Sequence, residues 1–247
     1  MCVTKEEFDS SPIAWEIYKL MYAANFTEAF ETSYKTRKYI TNSFIYNGKS
    51  TNSMKFSGET DFNFGSGWAH TKYEKYGKLI AQASIPQEYK TRYCNHLKIC
   101  SELYKSIVNI SIMPQTGNLQ STKKGIGNDR IDVFIWALDG YYNKISNILT
   151  NYCSYENMDI LKNYLDIFGD VYNYCDAIYH INESLVDDLL ISGRESIDSV
   201  ERMISYMNLA LRFWRQKITF LKNKGNQSTE ISQAIITADN LLEEFFA

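Results

Sequence analysis

Apolar residues recur every three or four positions along most of this chain, the spacing that places them on one face of an α-helix. The first such segment begins at Pro12, a residue suited to the first turn of a helix, and continues to about Asn25. After a break, Thr27 is a candidate cap for a second helix that passes Tyr34. The pattern therefore predicts a mainly α protein.

The helical spacing disappears between about residues 41 and 70, where Gly, Asn and Ser are frequent. Within this insertion the segment Thr60–Phe64 alternates polar and apolar residues, which predicts a short strand or an extended arm. A segment of this length without helix is uncommon in a compact domain and is often functional. The alternative is a surface loop that is pinned to the protein by its aromatic residues Phe56, Phe62, Phe64 and Trp68.

Helical spacing returns after residue 70. We predict helices over about 71–84, 86–109, 129–146, 158–179, 197–221 and 231–245. Gly225 would take the left-handed conformation that ends many helices, and its turn would join the last two as an antiparallel hairpin. A coiled coil is the alternative for the segment around Trp214, but its apolar repeat is too short to favour one. We therefore expect an irregular multi-helix bundle in one domain, 1–247, whose only candidate lobe boundary lies near 147–156.

The composition is that of an ordinary globular protein, with 45% hydrophobic and 22% charged residues. Its aromatic content is high at 15%, which we interpret mainly as core packing, with ligand stacking as the alternative for individual tyrosines. No apolar run approaches the roughly 18 residues of a membrane span, and no secretory signal is recognised at the amino end. Five scattered cysteines are then most simply reduced thiols of a cytoplasmic protein.

The net charge of −3 provides no global field that would attract a polyanion. A nucleic-acid partner is left open, but it would require a local basic patch. A protein partner or a homo-oligomer is equally compatible with the sequence, no membrane association is expected, and the cofactor is unknown. His96 and Cys100 have the spacing of half a metal site, but no second pair matches them, so no metal site is predicted.

The candidate chemistry is concentrated between Met113 and Tyr142. The basic, glycine-containing segment 123–128 precedes a predicted helix start, where backbone amides favour anions. It lacks the Gly-Lys-Ser/Thr ending of a Walker loop, and no predicted strand precedes it as in a Rossmann fingerprint. The alternative is a Gly-Asn cap on a basic loop.

Asp129 and Asp132 lie three residues apart on the helix that follows, so their carboxylates could share a metal or divide acid and base roles. The alternative is structural: acids are stabilised at a helix start, and Arg130 would pair with one of them. The sequence predicts a polar stripe through Asp139 and Asn143 and an opposite, core-facing stripe of Ile131, Phe134, Ile135, Leu138, Tyr142 and Ile145. With three histidines and no nucleophile beside a recognisable base, most hydrolytic schemes are disfavoured.

The same region resembles a family of uncharacterised bacterial helical proteins known only as a domain of unknown function. The shared features are a Gly-Asn turn at 117–118, a basic-Gly loop at 124–125, and an Asn-Asp-Arg-x-Asp helix start at 128–132 that leads to paired tyrosines. The resemblance covers about residues 61–190. It implies a helical fold and the position of a site, but no reaction.

Two hypotheses follow. The first is a non-enzymatic helical interaction or regulatory protein, associated with mobile elements or phage defence, in which the motif is an internal polar network. The alternative is binding or processing of a phosphate-containing ligand, a nucleotide or a nucleic-acid end, at the loop-helix site 117–132. Whether the chain is an enzyme is left open, and no catalytic residue is identified. The candidate ligand-binding residues are Asp61, Asn118, Lys123, Lys124, Asn128, Asp129, Arg130 and Asp132.

Overall fold

The computed structural model of the chain describes residues 9, 11–27, 40–65, 72–114, 119, 130–145, 149, 158–225 and 227–246. The chain forms two compact units: unit 1 comprises residues 1–61 and 110–193, and unit 2 comprises residues 62–109 and 194–247. The backbone passes from one unit to the other at residues 61–62, 109–110 and 193–194. A single domain with a lobe boundary near 147–156 stays a prediction.

Unit 1 contains a three-stranded antiparallel sheet of β1 (Ile40–Asn42), β4 (Met54–Thr60) and β5 (Ile110–Pro114), with β4 in the centre. β4 pairs Phe56 with Ile40 on one side and Gly58 with Ile112 on the other. A separate hairpin joins β2 (Ile45–Tyr46) to β3 (Lys49–Ser50). Its two loop residues, Asn47 and Gly48, both have positive φ, as a two-residue hairpin turn requires.

The described helices of unit 1 are α1 (Pro12–Tyr22), α4 (Ile131–Tyr142), α5 (Met158–Asp166), α6 (Val171–Tyr179) and α7 (Glu183–Ser192). Of these helices, α1 and α6 contact β5. α1 begins where predicted, with the Ser11 hydroxyl accepting a hydrogen bond from the Ala14 amide. α4 packs against α6 and α7. The mainly α prediction is confirmed for the described chain, with the strands of unit 1 added to it. The predicted helix that begins at Thr27 lies outside the described residues from position 28 to position 39.

Aromatic rings fill the core of unit 1. Six of them form one contact network with neighbouring centroids 5.0–6.3 Å apart: Phe26, Phe44, Phe56, Tyr164, Phe168 and Tyr174. The network joins β4 to α5 and α6, so the sheet is covered by large rings rather than by many aliphatic side chains. In this core the high aromatic content contributes packing area.

Unit 2 contains α2 (Lys72–Gln82), α3 (Gln87–Leu103), α8 (Val200–Lys222) and α9 (Thr229–Phe246). Its aromatic network has neighbouring centroids 5.2–6.5 Å apart and consists of Phe62, Phe64, Tyr76, Tyr206, Phe213 and Trp214. The Arg215–Glu243 and Lys222–Asp239 ion pairs join α8 to α9. No helix in the described part of the chain is long and apolar enough to cross a membrane.

The prediction of a helix over 86–109 is wrong at its carboxyl end. α3 ends at Leu103, a short 3-10 turn follows at Ile107–Asn109, and the next residues form β5. The apolar residues that continued the helical spacing are instead buried on both faces of a strand. Pairing with β4 stabilises the extended conformation of these residues. β5 lies at the edge of the sheet, where Pro114, which lacks a backbone N–H, can end the strand with little loss of hydrogen bonding.

The predicted helix over 158–179 is also wrong, because two helices occupy this segment. Gly169 has φ +82°, a left-handed conformation that ends α5, and the Asp170 carboxylate accepts a hydrogen bond from the Asn173 amide at the start of α6. α7 was not predicted at all. The Asn182 side chain caps α7 at its amino end.

Gly225 does not have the predicted left-handed conformation. α8 ends at Asn223, which is right-handed, and positive φ is recorded at other glycines. The Gln227 side chain donates hydrogen bonds to the carbonyls of Leu221 and Lys224. These bonds satisfy helix-end carbonyls that a left-handed glycine motif would otherwise have satisfied.

The segment Thr60–Phe64, for which the sequence predicts a short strand or an extended arm, is not a continuous strand: β4 ends at Thr60, and a single β-bridge position follows at Phe62. The buried Asn109 side chain bonds both backbone groups of Phe62. Its oxygen accepts the Phe62 amide at 2.9 Å and its nitrogen donates to the Phe62 carbonyl at 2.9 Å. The same side chain accepts the Trp214 indole N–H at 3.0 Å and donates to the Tyr104 carbonyl at 3.0 Å. One asparagine side chain therefore makes, at Phe62, the two backbone hydrogen bonds that a neighbouring strand could otherwise make.

We expect Asn109→Ala to lower the free energy of unfolding by about 3 kcal/mol, because it leaves the buried N–H groups of Phe62 and Trp214 without an acceptor. Urea denaturation measures the change. The matched control is Asn208→Ala, which removes an exposed asparagine from α8 in the same unit and should change stability by less than about 0.5 kcal/mol. Equal stabilities of the two variants would contradict the role assigned to Asn109.

Candidate functional site

Three of the eight candidate residues lie in the described part of the chain: Asp61, Arg130 and Asp132. The other five, which are Asn118, Lys123, Lys124, Asn128 and Asp129, lie outside the described residues. The phosphate-binding loop and the Asp129–Asp132 carboxylate pair therefore stay predictions. Arg130 and Asp132 are the described residues at the carboxyl-terminal end of the motif.

Arg130 immediately precedes α4 and has an extended backbone. Its carbonyl accepts a hydrogen bond from the Phe134 amide at 3.1 Å, which begins the helix, while its side chain makes no cap bond. Asp132 lies in the first turn of α4, where the helix dipole stabilises a carboxylate. This placement directs two opposite charges to the same end of one helix.

The Asp132 carboxylate has no solvent exposure and receives hydrogen bonds on both oxygens. Arg130 Nε donates to Oδ1 at 2.9 Å, and Arg130 Nη2 donates to Oδ2, so the pair is bidentate. The Ser192 hydroxyl at the end of α7 donates to Oδ2 at 2.6 Å. Arg130 Nη2 also donates to the Ser192 carbonyl at 3.2 Å.

Gly193 brings the backbone after α7 close to the first turn of α4. A Cβ atom at this position would lie 2.3 Å from the Asp132 carbonyl oxygen and 2.8 Å from the Trp136 Cβ. Any larger residue would have to separate the two helices here. The glycine therefore permits the approach that lets Ser192 reach the Asp132 carboxylate.

This arrangement gives Asp132 the chemistry of a buried counter-ion. Its charge is balanced by a guanidinium that is itself only 11% exposed, and its oxygens are occupied by protein donors. Contact with an external ligand would require the α4–α7 junction to open. Of the two interpretations of the motif, the geometry of these residues supports the internal polar network.

The remainder of α4 only partly follows the predicted stripes. The Asn143 side chain donates to the Asp139 carboxylate at 2.7 Å in an exposed pair. Ile145, which was predicted to face the core, is 80% exposed because α4 ends at Tyr142. The prediction for Ile145 is wrong because a helical pattern was extended past the end of its helix.

Asp61 is a second buried carboxylate, located directly after β4. The Ser111 hydroxyl of β5 donates to its Oδ2 at 2.8 Å. Burial raises the pKa of Tyr22 and of Tyr179, and the charge of Asp61 raises both further. These phenols therefore remain protonated, and a tyrosinate nucleophile is disfavoured here.

The candidate half-site of His96 and Cys100 has a packing role in this structure. The His96 ring lies on the Phe245 ring with centroids 3.8 Å apart, and Cys100 is buried, which raises the pKa of its thiol. Among the residues that the structure describes, no group of three His, Cys, Asp or Glu side chains could hold a metal ion.

Sequence reasoning missed Ser192 and Gly193, which complete the environment of Asp132. They lie about sixty residues further along the chain, and no local motif links them to Asp132. The available signal was weak: α7 itself was not predicted, and Gly193, which follows its last residue, is not part of a recognisable motif. Recognising the contact required the packing of α4 on α7.

We expect Asp132→Ala to lower the free energy of unfolding by about 3–5 kcal/mol, because it removes the buried carboxylate to which the largely buried Arg130 guanidinium donates two hydrogen bonds. Chemical denaturation followed by circular dichroism measures the effect. Asp176→Ala removes an exposed carboxylate from α6 in the same unit and serves as the control, with an expected change below about 0.5 kcal/mol. A loss for Asp132→Ala as small as that of the control would contradict the buried-pair interpretation.

The pKa of His96 is lowered from its ordinary value of 6.5, first by burial and second by Arg92. Between the lowered pKa and 6.5 the unfolded chain binds more protons, so the stability contribution of the neutral ring is lost as the pH falls below 6.5. We expect the stability difference between the wild type and His96→Gln to shrink from about pH 7.5 to about pH 5.5 in urea titrations. A difference that is constant or grows over this range would contradict the assignment.

No family model, curated protein or solved structure matches this chain. The resemblance to the family of bacterial helical proteins stays a prediction. The structural role assigned to Arg130, Asp132 and Ser192 therefore rests on their burial and hydrogen bonds alone.

Proposed function

We propose that this chain is a non-enzymatic helical interaction or regulatory protein, in which the Arg130–Asp132 pair is an internal polar network. The observation that carries the proposal is the complete burial of Asp132, whose two oxygens accept bonds from Arg130 and Ser192. A carboxylate in this position stabilises the junction of α4 and α7. It is not presented to a ligand.

The network fixes the position of the chain at the start of α4 and the distance between α4 and α7. Arg130 lies two residues after the basic, glycine-containing segment 123–128 in the sequence, and its bonds to Asp132 hold the chain at the start of α4. Because Asp132 and Ser192 come from two different helices, the same bonds set the separation of α4 and α7. The motif would therefore determine how a surface of unit 1 is presented to a partner.

The wider proposal follows from the sequence. We place the chain in the family of bacterial helical proteins that its central motif resembles, as a single-domain bundle with a C-terminal antiparallel hairpin, in the cytoplasm. The setting would be mobile elements or phage defence. Free, buried thiols at Cys100 and Cys175 are compatible with a reducing compartment.

The alternative function is binding or processing of a phosphate-containing ligand at residues 117–132. It depends on residues outside the described part of the chain, above all Lys123, Lys124 and Asp129. The Arg130 guanidinium already donates to Asp132 and to the Ser192 carbonyl. A phosphate at this guanidinium would compete with a buried carboxylate, which disfavours the alternative at this end of the motif.

The test combines a stability cycle with ligand titration. We expect Arg130→Ala to lower the free energy of unfolding by about 3–5 kcal/mol, since it leaves the Asp132 charge buried without its partner. The double variant Arg130→Ala/Asp132→Ala should lose less than the sum of the single losses, because the second truncation removes the unbalanced charge. Calorimetric titration of the wild type with ATP and Mg²⁺ should show no saturable heat.

The opposite pattern would support the ligand site. Arg130→Ala that melts like the wild type would refute a structural role for the pair. Saturable ATP binding that is abolished by Lys123→Ala/Lys124→Ala, with the melting midpoint retained, would assign the motif to phosphate recognition.

A further inference from the structure

An aromatic stripe runs along α3 in unit 2. The rings of Tyr89, Tyr93 and His96 follow one another with centroids 6.2 and 6.3 Å apart, and His96 lies on Phe245 of α9. Side chains at positions i, i+4 and i+7 share one helix face, and in α3 this is the face that buries Cys100 and Leu103 further along. The stripe therefore extends the core-facing side of α3.

α9 covers part of this face. Its last turn contacts α3 through Phe245 at His96, and α9 also packs on residues 107–109, which follow α3 in the chain. α9 thus runs antiparallel to α3 and ends beside His96. Tyr89, beyond that end, is 43% exposed although it lies on the core-facing side, and Tyr93 is half-buried.

Positive charge accompanies the rings. Lys90 and Arg92 come one and three residues after Tyr89, on either side of the stripe, and Arg92 is near enough to lower the pKa of His96. Lys90 Nζ donates one of its hydrogen bonds to the Ala81 carbonyl of α2 at 2.7 Å, which leaves its other N–H groups for a phosphate. Residues 72–105 contain seven basic and three acidic residues, whereas the whole chain has a net charge of −3. Among the described residues, Arg92, Lys78 and Lys98 make no ion pair with a carboxylate. The α2–α3 segment therefore carries an excess of positive charge, which a polyanion requires.

We propose that the Tyr89–Tyr93 face of α3 binds single-stranded nucleic acid, with the two tyrosine rings stacking on bases and Lys90 and Arg92 contacting phosphates. Single strands expose the faces of their bases, and aromatic rings beside cations are the combination that binds them without sequence preference. A duplex hides those faces, and an acidic peptide would engage the cations while leaving the rings unstacked. The inference goes beyond the proposed function and does not depend on the Arg130–Asp132 pair.

The test is fluorescence anisotropy of a labelled oligo-dA of about 12 nucleotides with the full chain, at about 50 mM salt, because phosphate contacts weaken steeply as salt rises. We expect saturable binding that weakens about tenfold in Tyr89→Ala/Tyr93→Ala and stays within about twofold in Tyr89→Phe/Tyr93→Phe, which keeps the rings. Lys90→Gln/Arg92→Gln should reduce the slope of log Kd against log salt by about 1.4, or about 0.7 for each phosphate that the protein no longer neutralises.

Matched controls come from unit 1. Tyr172→Ala removes another exposed tyrosine and Lys49→Gln another exposed lysine, and neither should change the affinity. Melting midpoints are measured for every variant. If the double alanine variant melts early, the single variant Tyr89→Ala at the most exposed ring provides the comparison.

Four outcomes would overturn the proposal. They are no saturable binding, binding that is unchanged by removal of both rings, a duplex of the same sequence that binds as tightly as the single strand, and displacement of the oligonucleotide by an equal charge of polyglutamate. Each of the last three outcomes would indicate binding by charge alone, without base stacking.

Discussion

The central physical constraint of unit 1 is the charge of Asp132, which is withdrawn completely from water. A buried carboxylate is tolerated only where donors replace its hydration, and three donors do so here, two from Arg130 and one from Ser192. Each donor imposes a position. Arg130 must precede α4 directly, the last residue of α7 must reach the first turn of α4, and Gly193 must omit a side chain so that the backbones can approach. One charge thereby fixes the junction of two helices that are about sixty residues apart in the sequence.

Unit 2 also buries polar groups, and an uncharged side chain satisfies their hydrogen bonds. Phe62 leaves the sheet with an amide and a carbonyl that need partners inside an aromatic core, and the Asn109 side chain supplies both while also receiving the Trp214 indole N–H. Large rings provide the apolar area in each unit, and a few fully bonded polar side chains determine how the backbone passes among the rings. Such groups contribute specificity as well as stability, because a shifted register would leave them buried and unbonded.

Local information explains which elements the sequence predicts. Helical spacing identifies α1, α2, α8 and α9, since it acts within a few residues. Three predictions fail because tertiary structure overrides the local pattern. The residues of β5 continue a helical apolar pattern but pair with β4. The Asn109 side chain bonds both backbone groups of Phe62, and Gly169, with its positive φ, separates α5 from α6. The candidate site shows the same limit. The pairing of Arg130 with a neighbouring acid is an alternative that spacing suggests, whereas Ser192 depends on the packing of α4 on α7, and the residues of the basic loop stay predictions.

Periodicity also assigns Tyr89 and Tyr93 to the core, where several other tyrosines of the described chain do lie. Tyr164, Tyr174 and Tyr206 lie within the aromatic networks and are almost completely buried. Tyr89 differs because it lies seven residues before the His96–Phe245 contact, and 43% of it is exposed. An amphipathic pattern predicts which side of a helix is apolar, but tertiary packing decides how much of that side is covered. At Tyr89 the apolar side of α3 is exposed beside cations, and this combination is the basis of the proposed nucleic-acid surface.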